Sequence, residues 1–441
     1  MLKKYISLPI GDFCYDAGEG TLSVAKGKEP NEATDSLALV RYIEHPATQK
    51  VEELLKTSLS TLVLQVTQNC NLRCDYCAYS GKYYNRVHSI KRMTLDIAQR
   101  AIDFFFSHTQ DSRDVVIGFY GGEPLLEMAL IKECVAYIKS AYWGKSVSYI
   151  TTTNATLLTG EVVDFLVNND VSVMVSFDGP KEIHDINRHF ENGRGSFDLI
   201  MKNLMQIKER YPEFYAKIQT NTVLAPEEDY SCVKEYFDAD TIISELSSKL
   251  SLVRPDDSKV VVKYSDRLLE IQNEEITKVL LWMLKKIRKD QVSKLYHSYN
   301  LSLRQKYNHL YLYRHKREVG HPGGPCIPGY KKVFVDVSGN FYPCEKVSEC
   351  EETRIGSIMN GFDYDKIVDM LNIARLTADE CSKCWCFTFC NQCVASSMEH
   401  NKVSRDKKLS MCAAVRANTE QFLKEIAFLR YFGCDLERAE K

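Results

Sequence analysis

The run Thr61-Leu-Val-Leu-Gln-Val-Thr67 leads, two residues later, into Cys70-Asn-Leu-Arg-Cys74-Asp-Tyr-Cys77. The first segment is apolar and β-branched, the pattern of a buried strand. The second puts three thiols into one tight loop directly after it. In α/β folds the C-terminal ends of parallel strands carry the active site, so strand and loop read as one functional unit. Three thiolates can hold three irons of a cubane cluster, which usually takes four cysteines. A missing fourth ligand leaves one iron open, as catalytic zinc sites leave one position open. The competing reading is a zinc knot, which uses a nearby second CxxC pair. No such pair follows within reach of Cys77.

Outward from this unit, strands and helices alternate. Asp114–Tyr120, Ser146–Thr152, Val171–Phe177 and Lys217–Val223 read as strands. Leu95–Phe106 has apolar residues at helical spacing behind Thr94, a good N-cap. Glu127–Tyr142, Glu161–Asn168 and Phe197–Glu209 read as the other crossover helices. Such alternation implies parallel strands joined by right-handed crossovers. A sixth strand is expected between Thr241 and Tyr264. Before this region, Lys4–Leu8 and Leu22–Ala25 are expected to pair as a hairpin, and Gln49–Leu59 reads as a helix. After it, Glu270–Tyr313 is mostly helical and charged. Short strands, loops and cysteines follow Gly320, and Asp406–Leu429 closes the chain as a helix.

Composition narrows the function classes. A chain of 441 residues suits two or three domains. The net charge of −2 gives no electrostatic footprint for nucleic acid. No apolar run is long enough to span a bilayer. Lys3 and Lys4 are followed by an apolar stretch that breaks at Gly11 and Asp12, which is not a signal peptide. A cytoplasmic location is expected. Sixteen cysteines without a secretion signal point to metal ligation or catalysis rather than to a disulfide framework.

Most of the cysteines outside the first loop lie in the last quarter of the chain. Cys326 is followed by twelve residues, Gly339, four residues and Cys344. Then come Cys381, Cys384, Cys390 and Cys393 as two CxxC pairs, and finally Cys412. A structural zinc ribbon on the two pairs is the alternative, but it leaves Cys326, Cys344 and Cys412 without a role. Cys350 and Cys386 are extra, and either is a possible substitute ligand. Cys14, Cys134, Cys232 and Cys434 lie in no cluster and read as small buried hydrophobes.

The CX3CX2C loop, with aromatic Tyr76 before its last cysteine, resembles the signature of the radical S-adenosylmethionine (SAM) superfamily. Tyr120-Gly121-Gly122-Glu123-Pro124 is similar to that family's GGE element. The C-terminal constellation resembles the SPASM domain of peptide-modifying members. The resemblance covers roughly residues 60–415 and implies a partial (β/α)6 TIM barrel of the radical SAM type. A small cysteine-rich SPASM domain with two auxiliary clusters follows it. The expected organisation is an N-terminal extension at 1–58, a candidate reduced peptide-recognition module, then the barrel at 59–265 and a helical linker at 266–320. The SPASM domain takes 321–415, and a helix and tail take 416–441.

The same resemblance assigns roles. Cys70, Cys74 and Cys77 hold a [4Fe-4S] cluster whose open iron is chelated by SAM. One electron from the cluster cleaves SAM to a 5′-deoxyadenosyl radical that abstracts a substrate hydrogen. Tyr76, Gly121, Gly122, Glu123, Asn154, Ser176 and Arg188 line SAM, with Glu123 at its amino group, Ser176 at the ribose and Arg188 at the carboxylate. Cys326, Cys344 and Cys393 hold a first auxiliary cluster with an open iron, and Cys381, Cys384, Cys390 and Cys412 a second. The spacing departs from the family's pattern: two residues, not three, separate Cys390 from Cys393. Gly320 and His321 stand where some relatives carry a further cysteine. In sulfatase-maturating members an aspartate after the Cys344 position acts as a base, so Glu345 is the candidate catalytic residue. The alternative is a solvated glutamate.

The layout as a whole resembles maturases that form thioethers in ribosomally made peptides, the sactipeptide and ranthipeptide types. That implies a Cys-containing precursor peptide with a leader as substrate, and a flavodoxin- or ferredoxin-type protein as electron donor. Formylglycine formation in a sulfatase or carbon–carbon cross-linking is the alternative chemistry. A metal-binding scaffold without catalysis is the alternative class.

Overall fold

The computed structural model describes residues 3–25, 38–84, 86–225, 230–239, 241–253, 258–259, 261–310 and 317–437. The chain begins with an antiparallel meander of β1 (Lys3–Leu8), β2 (Gly11–Asp16) and β3 (Thr21–Val24). The two segments expected to pair with each other are its outer strands, and each pairs instead with β2 between them. Gly11 turns the chain rather than ending a pattern, because its φ of +137° lies where L side chains are strained. Phe13 and Tyr15 then alternate inward beside Ile6 and Leu22. β4 (Val40–Ile43) and the short helix α1 (Val51–Thr57) lead into the barrel.

The barrel strands follow where the periodicity places them. They are β5 (Thr61–Thr67), β6 (Asp114–Gly121), β7 (Ser146–Thr153), β8 (Ser172–Ser176), β9 (Gln219–Leu224) and β10 (Ser247–Leu252). The last is the sixth strand. All six are parallel and lie side by side in chain order. Crossover helices are α2 (Leu95–Phe106), α3 (Met128–Ala141), α4 (Gly160–Asn168), α5 (Lys181–Asn187), α6 (Phe197–Arg210), α7 (Pro212–Tyr215) and α8 (Tyr230–Asp238). In α2, Ala98, Ala101, Ile102 and Phe105 recur at i, i+3, i+4 and i+7 and bury one face. They share the core with Leu62, Leu64 and Val66 of β5. Thr94 Oγ1 accepts from Ile97 N and starts that helix.

The sheet is open, not a closed barrel. Beyond α9 (Asp266–Met283), α10 (Tyr299–Leu310) and β11 (Arg317–Gly320), which pairs with β4, the chain returns to it. β12 (Lys332–Val335) lies parallel to β5, with Lys332 opposite Thr61. β13 (Asn340–Tyr342), β14 (Gly356–Ser357) and β15 (Gly361–Phe362) extend it antiparallel. The cysteine-rich region therefore continues the barrel sheet. Of the charged helical stretch expected up to Tyr313, residues 311–316 lie outside the described residues. The closing helix is two, α11 (Tyr364–Leu371) and α12 (Ala378–Cys381) being followed by α13 (Arg405–Ser410) and α14 (Cys412–Tyr431). Among the described residues no helix is long and apolar enough to cross a membrane.

Candidate cluster and substrate site

The Cys70–Cys77 loop is laid down by backbone bonds at both ends. Gly122 N donates to Thr67 O at 3.0 Å and Glu123 N to Asn69 O at 2.9 Å. Arg73 N and Asp75 N reach His189 O and Asn187 O at 2.8 and 3.1 Å. The two glycines are steric necessities here. A Cβ on Gly121 would sit 2.0 Å from Thr67 O, and one on Gly122 would sit 2.2 Å from Asn69 O. The tip of β6 thus lies directly against the start of the cysteine loop.

Glu123 supports the site from beneath. Its carboxylate is fully buried and takes three donors: Leu125 N at 3.1 Å, Thr153 Oγ1 at 2.8 Å and Asn154 N at 2.8 Å. Burial pushes its pKa up to about 7, against the pull of these hydrogen bonds. Asn154 turns its Nδ2 to Asn71 Oδ1 at 2.8 Å and to Cys70 Sγ at 3.8 Å. Arg188 is buried between the loop and β8. Its Nε donates to Asp178 Oδ2 at 2.8 Å, its Nη1 reaches Cys74 Sγ at 3.7 Å, and it stacks over Tyr76. The Tyr76 hydroxyl closes on the same Asp178 oxygen. Asp178 Oδ1 accepts from Val223 N, which ties the pair to β9. Ser176 ends β8 opposite Asn221.

These residues fit an iron–sulfur cluster. The three thiols lie close enough to feel one another's charge. Burial pushes Cys70 and Cys74 up to about 12, with Arg188 opposing the shift at Cys74. As free groups they are neutral thiols, and a metal would replace the proton. Soft thiolates beside a buried cation suit a net-negative cluster. Among the described residues no three His, Cys, Asp or Glu side chains converge on a point for a single ion. A cubane does not need that, since each thiolate takes a different iron.

The later cysteines form two further groups. Cys326, Cys344 and Cys393 interact with one another. Cys381, Cys384, Cys390 and Cys412 line one small cavity, together with Cys386. Cys350 faces elsewhere, its Sγ 3.6 Å from Thr353 Oγ1 and 3.7 Å from Asn401 O. His321 is engaged at both ring nitrogens, by Pro322 O and Ala374 N.

Glu345, the candidate base, sits in an ion pair rather than in open solvent. Burial pushes its pKa up, but Lys332 Nζ lies 2.6 Å from Oε2 and holds the carboxyl below its ordinary value. The pair lines a cavity of about 360 Å³ on the inner face of the sheet, with Tyr120, Thr152 and Met174. A second buried pair was not read from the sequence. Arg86 Nε lies 2.8 Å from Glu349 Oε1, and its Nη2 donates to Glu345 O and Val347 O at 3.0 Å. Gln65 Nε2 donates to both Glu349 Oε1 and Tyr79 OH. The signal was Gln65 itself, a polar residue inside an apolar strand. This network fastens the segment after Cys77 to the loop after Cys344.

Residues 64–239 match the family model described as the radical SAM superfamily. A cysteine-type anaerobic sulfatase-maturating enzyme of Clostridium novyi is 34% identical over 36% of this chain and 42% of its own length. The chain thus spans a little under half the length of the curated relatives it matches. Among solved structures, native anSMEcpe with bound AdoMet superposes with a TM-score of 0.60 at 20% identity. The match covers 84% of this chain and 99% of that one. Streptococcus suis SuiB bound to S-adenosylmethionine gives 0.51 at 16% identity, covering 81% and 78%. The fold is shared with both.

Proposed function

We propose, from the premise that residues 64–239 form a radical SAM domain, that this chain is a maturase that oxidises a side chain of a Cys-containing peptide. One observation carries the reading. Two separate three-cysteine groups stand towards opposite ends of the sheet, one after β5 and the other after the antiparallel β13, and Arg86 bonds the loops that follow them. When bound, a cluster at Cys70, Cys74 and Cys77 with SAM supplies one-electron cleavage and a carbon radical able to take a hydrogen atom. The chain's own residues do the rest. Gly121 and Gly122 let the strand tip and the loop meet. Arg188 sets a positive charge against the thiolates and a SAM carboxylate. Asn154 and Tyr76 fix the loop's walls, and the buried Gln65–Glu349–Arg86 network keeps water out. Cys326, Cys344 and Cys393 are the three thiols suited to a first auxiliary cluster, and the remaining set suits a second.

Thioether formation is the finer reading. It rests on Cys326, Cys344 and Cys393, three mutually near thiols that would leave one corner of a cubane for a substrate thiol. The second reading is formylglycine formation, favoured by the likeness to a cysteine-type sulfatase-maturating enzyme. Residues 1–58 and the leader contact, like the external electron donor, belong to the same proposal. anSMEcpe has been solved with a Cys-containing peptide bound, which supports a peptide substrate here.

The test is anaerobic reaction of reconstituted protein with SAM, dithionite and two peptides. One is a sulfatase-derived cysteine peptide, and the other a synthetic short Cys-rich peptide. A product two hydrogens lighter that has lost an alkylatable thiol supports the thioether. A hydrazide-reactive product establishes the second reading instead. Absence of 5′-deoxyadenosine overturns both.

A further inference from the structure

Five thiols, not four, line the C-terminal cavity: Cys381, Cys384, Cys386, Cys390 and Cys412. Cys386 is 2% exposed and is not a surface bystander. Its Sγ lies 3.6 Å from Cys384 Sγ, with only Trp385 between them in sequence. Arg416 of α14 also lies beside the Cys384 sulfur. The outer members of the group have partners of their own. Thr377 Oγ1 is 3.2 Å from Cys381 Sγ, and Gln392 Nε2 is 3.5 Å from Cys412 Sγ.

A four-iron cubane takes one thiolate per iron. Its corners point away from one another, so thiolates on different irons cannot touch. Two sulfurs in direct contact therefore cannot ligate two different irons at the same time. With five thiols around four irons, the redundant pair is the one in contact.

We propose that Cys384 and Cys386 are alternative ligands for one iron of the C-terminal auxiliary cluster. The proposal rests on the cluster reading above. The thiol that is off the iron keeps its proton and donates an S–H···S hydrogen bond to the thiolate that is on it. Exchange is balanced. The iron–sulfur bond to Cys384 breaks as that to Cys386 forms, and the proton passes from Cys386 to Cys384, with no change in oxidation state. Arg416 balances the thiolate charge beside the corner. The pair gives the cluster a spare ligand where damage to one thiol would otherwise open it.

The experiment compares the full chain with C384A, C386A, C384A/C386A and C381A after anaerobic reconstitution. Iron and sulfide per chain and the electron paramagnetic resonance spectra of the reduced clusters are measured. Wild-type iron tests the underlying reading by itself: one cluster only, or zinc in place of iron, sinks that reading before any variant is compared. Given three clusters in the wild type, C384A and C386A should each keep the full complement. The double variant and C381A should each lose about a third of the iron. C386A should also show a more negative midpoint potential for one cluster, because a hydrogen bond to its ligand sulfur is gone. Loss of a cluster in either single variant overturns the proposal, as does full iron in the double variant. An unchanged potential in C386A removes the hydrogen bond. Retention of the Cys70 cluster in every variant is the internal control for folding.

Discussion

The two cysteine regions are built on different principles. The Cys70–Cys77 loop hangs from the ends of long parallel strands. Its backbone is pinned by β6 and by the segment after α5, and a buried arginine and asparagine face its sulfurs. The Cys381–Cys412 region has short helices and turns: Cys381 and Phe387 join a small satellite core with Val40, Ile43 and Ala374, while Val394, Ala395 and Met398 reach the main core. There Cys384 and Cys386 meet each other, while Cys381 and Cys412 meet Thr377 and Gln392. A site on strand ends is organised before any metal arrives. A site on turns relies on its metal for part of its folding free energy.

The largest effect should come from removing the first site. Cys70, Cys74 and Cys77 changed together to Ala should abolish 5′-deoxyadenosine formation while leaving about two thirds of the iron. Chromatographic detection of the nucleoside checks it, and continued SAM cleavage would break the assignment. Next, stripping metal should loosen the two regions unequally. Amide hydrogen exchange over 378–412 should rise by about a hundredfold or more, while strands β5 to β8 keep their protection. Equal loosening in both would erase the contrast drawn here.

Gly122→Ala sharpens it from the scaffold side. Its Cβ would meet Asn69 O at 2.2 Å, so the loop must shift, at a cost on the order of 2 kcal/mol. Iron should fall by one cluster, and denaturant melts read the stability. A smaller effect concerns His184, which lies behind the loop. Burial, then Arg188 and Lys181, holds its pKa well below 6.5. It accepts from Asp178 N at Nδ1, and its Nε2 lies 3.0 Å from Ser196 Oγ. The unfolded chain binds this proton first, so the contribution is present above pH 6.5 and is lost as pH falls. Between pH 6.5 and 5 it amounts to at most about 2 kcal/mol. His184→Gln should flatten that part of the urea-midpoint profile. Least of all, Cys350→Ala should leave iron content and activity near wild type, since its sulfur faces Thr353 and Asn401. Loss of iron there would place Cys350 among the ligands.

Much of the architecture was legible because it is local. Thr61–Thr67 and Leu95–Phe106 are the observed strand and helix to the residue, since burial on a strand or a helix face is written in periods of two and 3.6. The cysteine loop was legible because its ligands lie within eight consecutive positions. The N-terminal pairing differs because Gly11 turns the chain into β2, which lies between the two segments expected to pair.

By itself, then, the sequence determined the parallel strand–helix alternation, the first cysteine loop and the existence of a second cysteine-rich region. Those follow from spacing between near neighbours. Only the tertiary structure decided that β12 joins the barrel sheet beside β5. Only it showed that Lys332 holds Glu345 ionised and that Arg86 and Glu349 form a buried pair. It also set Cys386 against Cys384 in a cavity completed by Cys412. Each of these depends on which distant segments pack together. Packing fixes side-chain direction and burial, and these in turn set charge state and ligand reach, which no local period encodes.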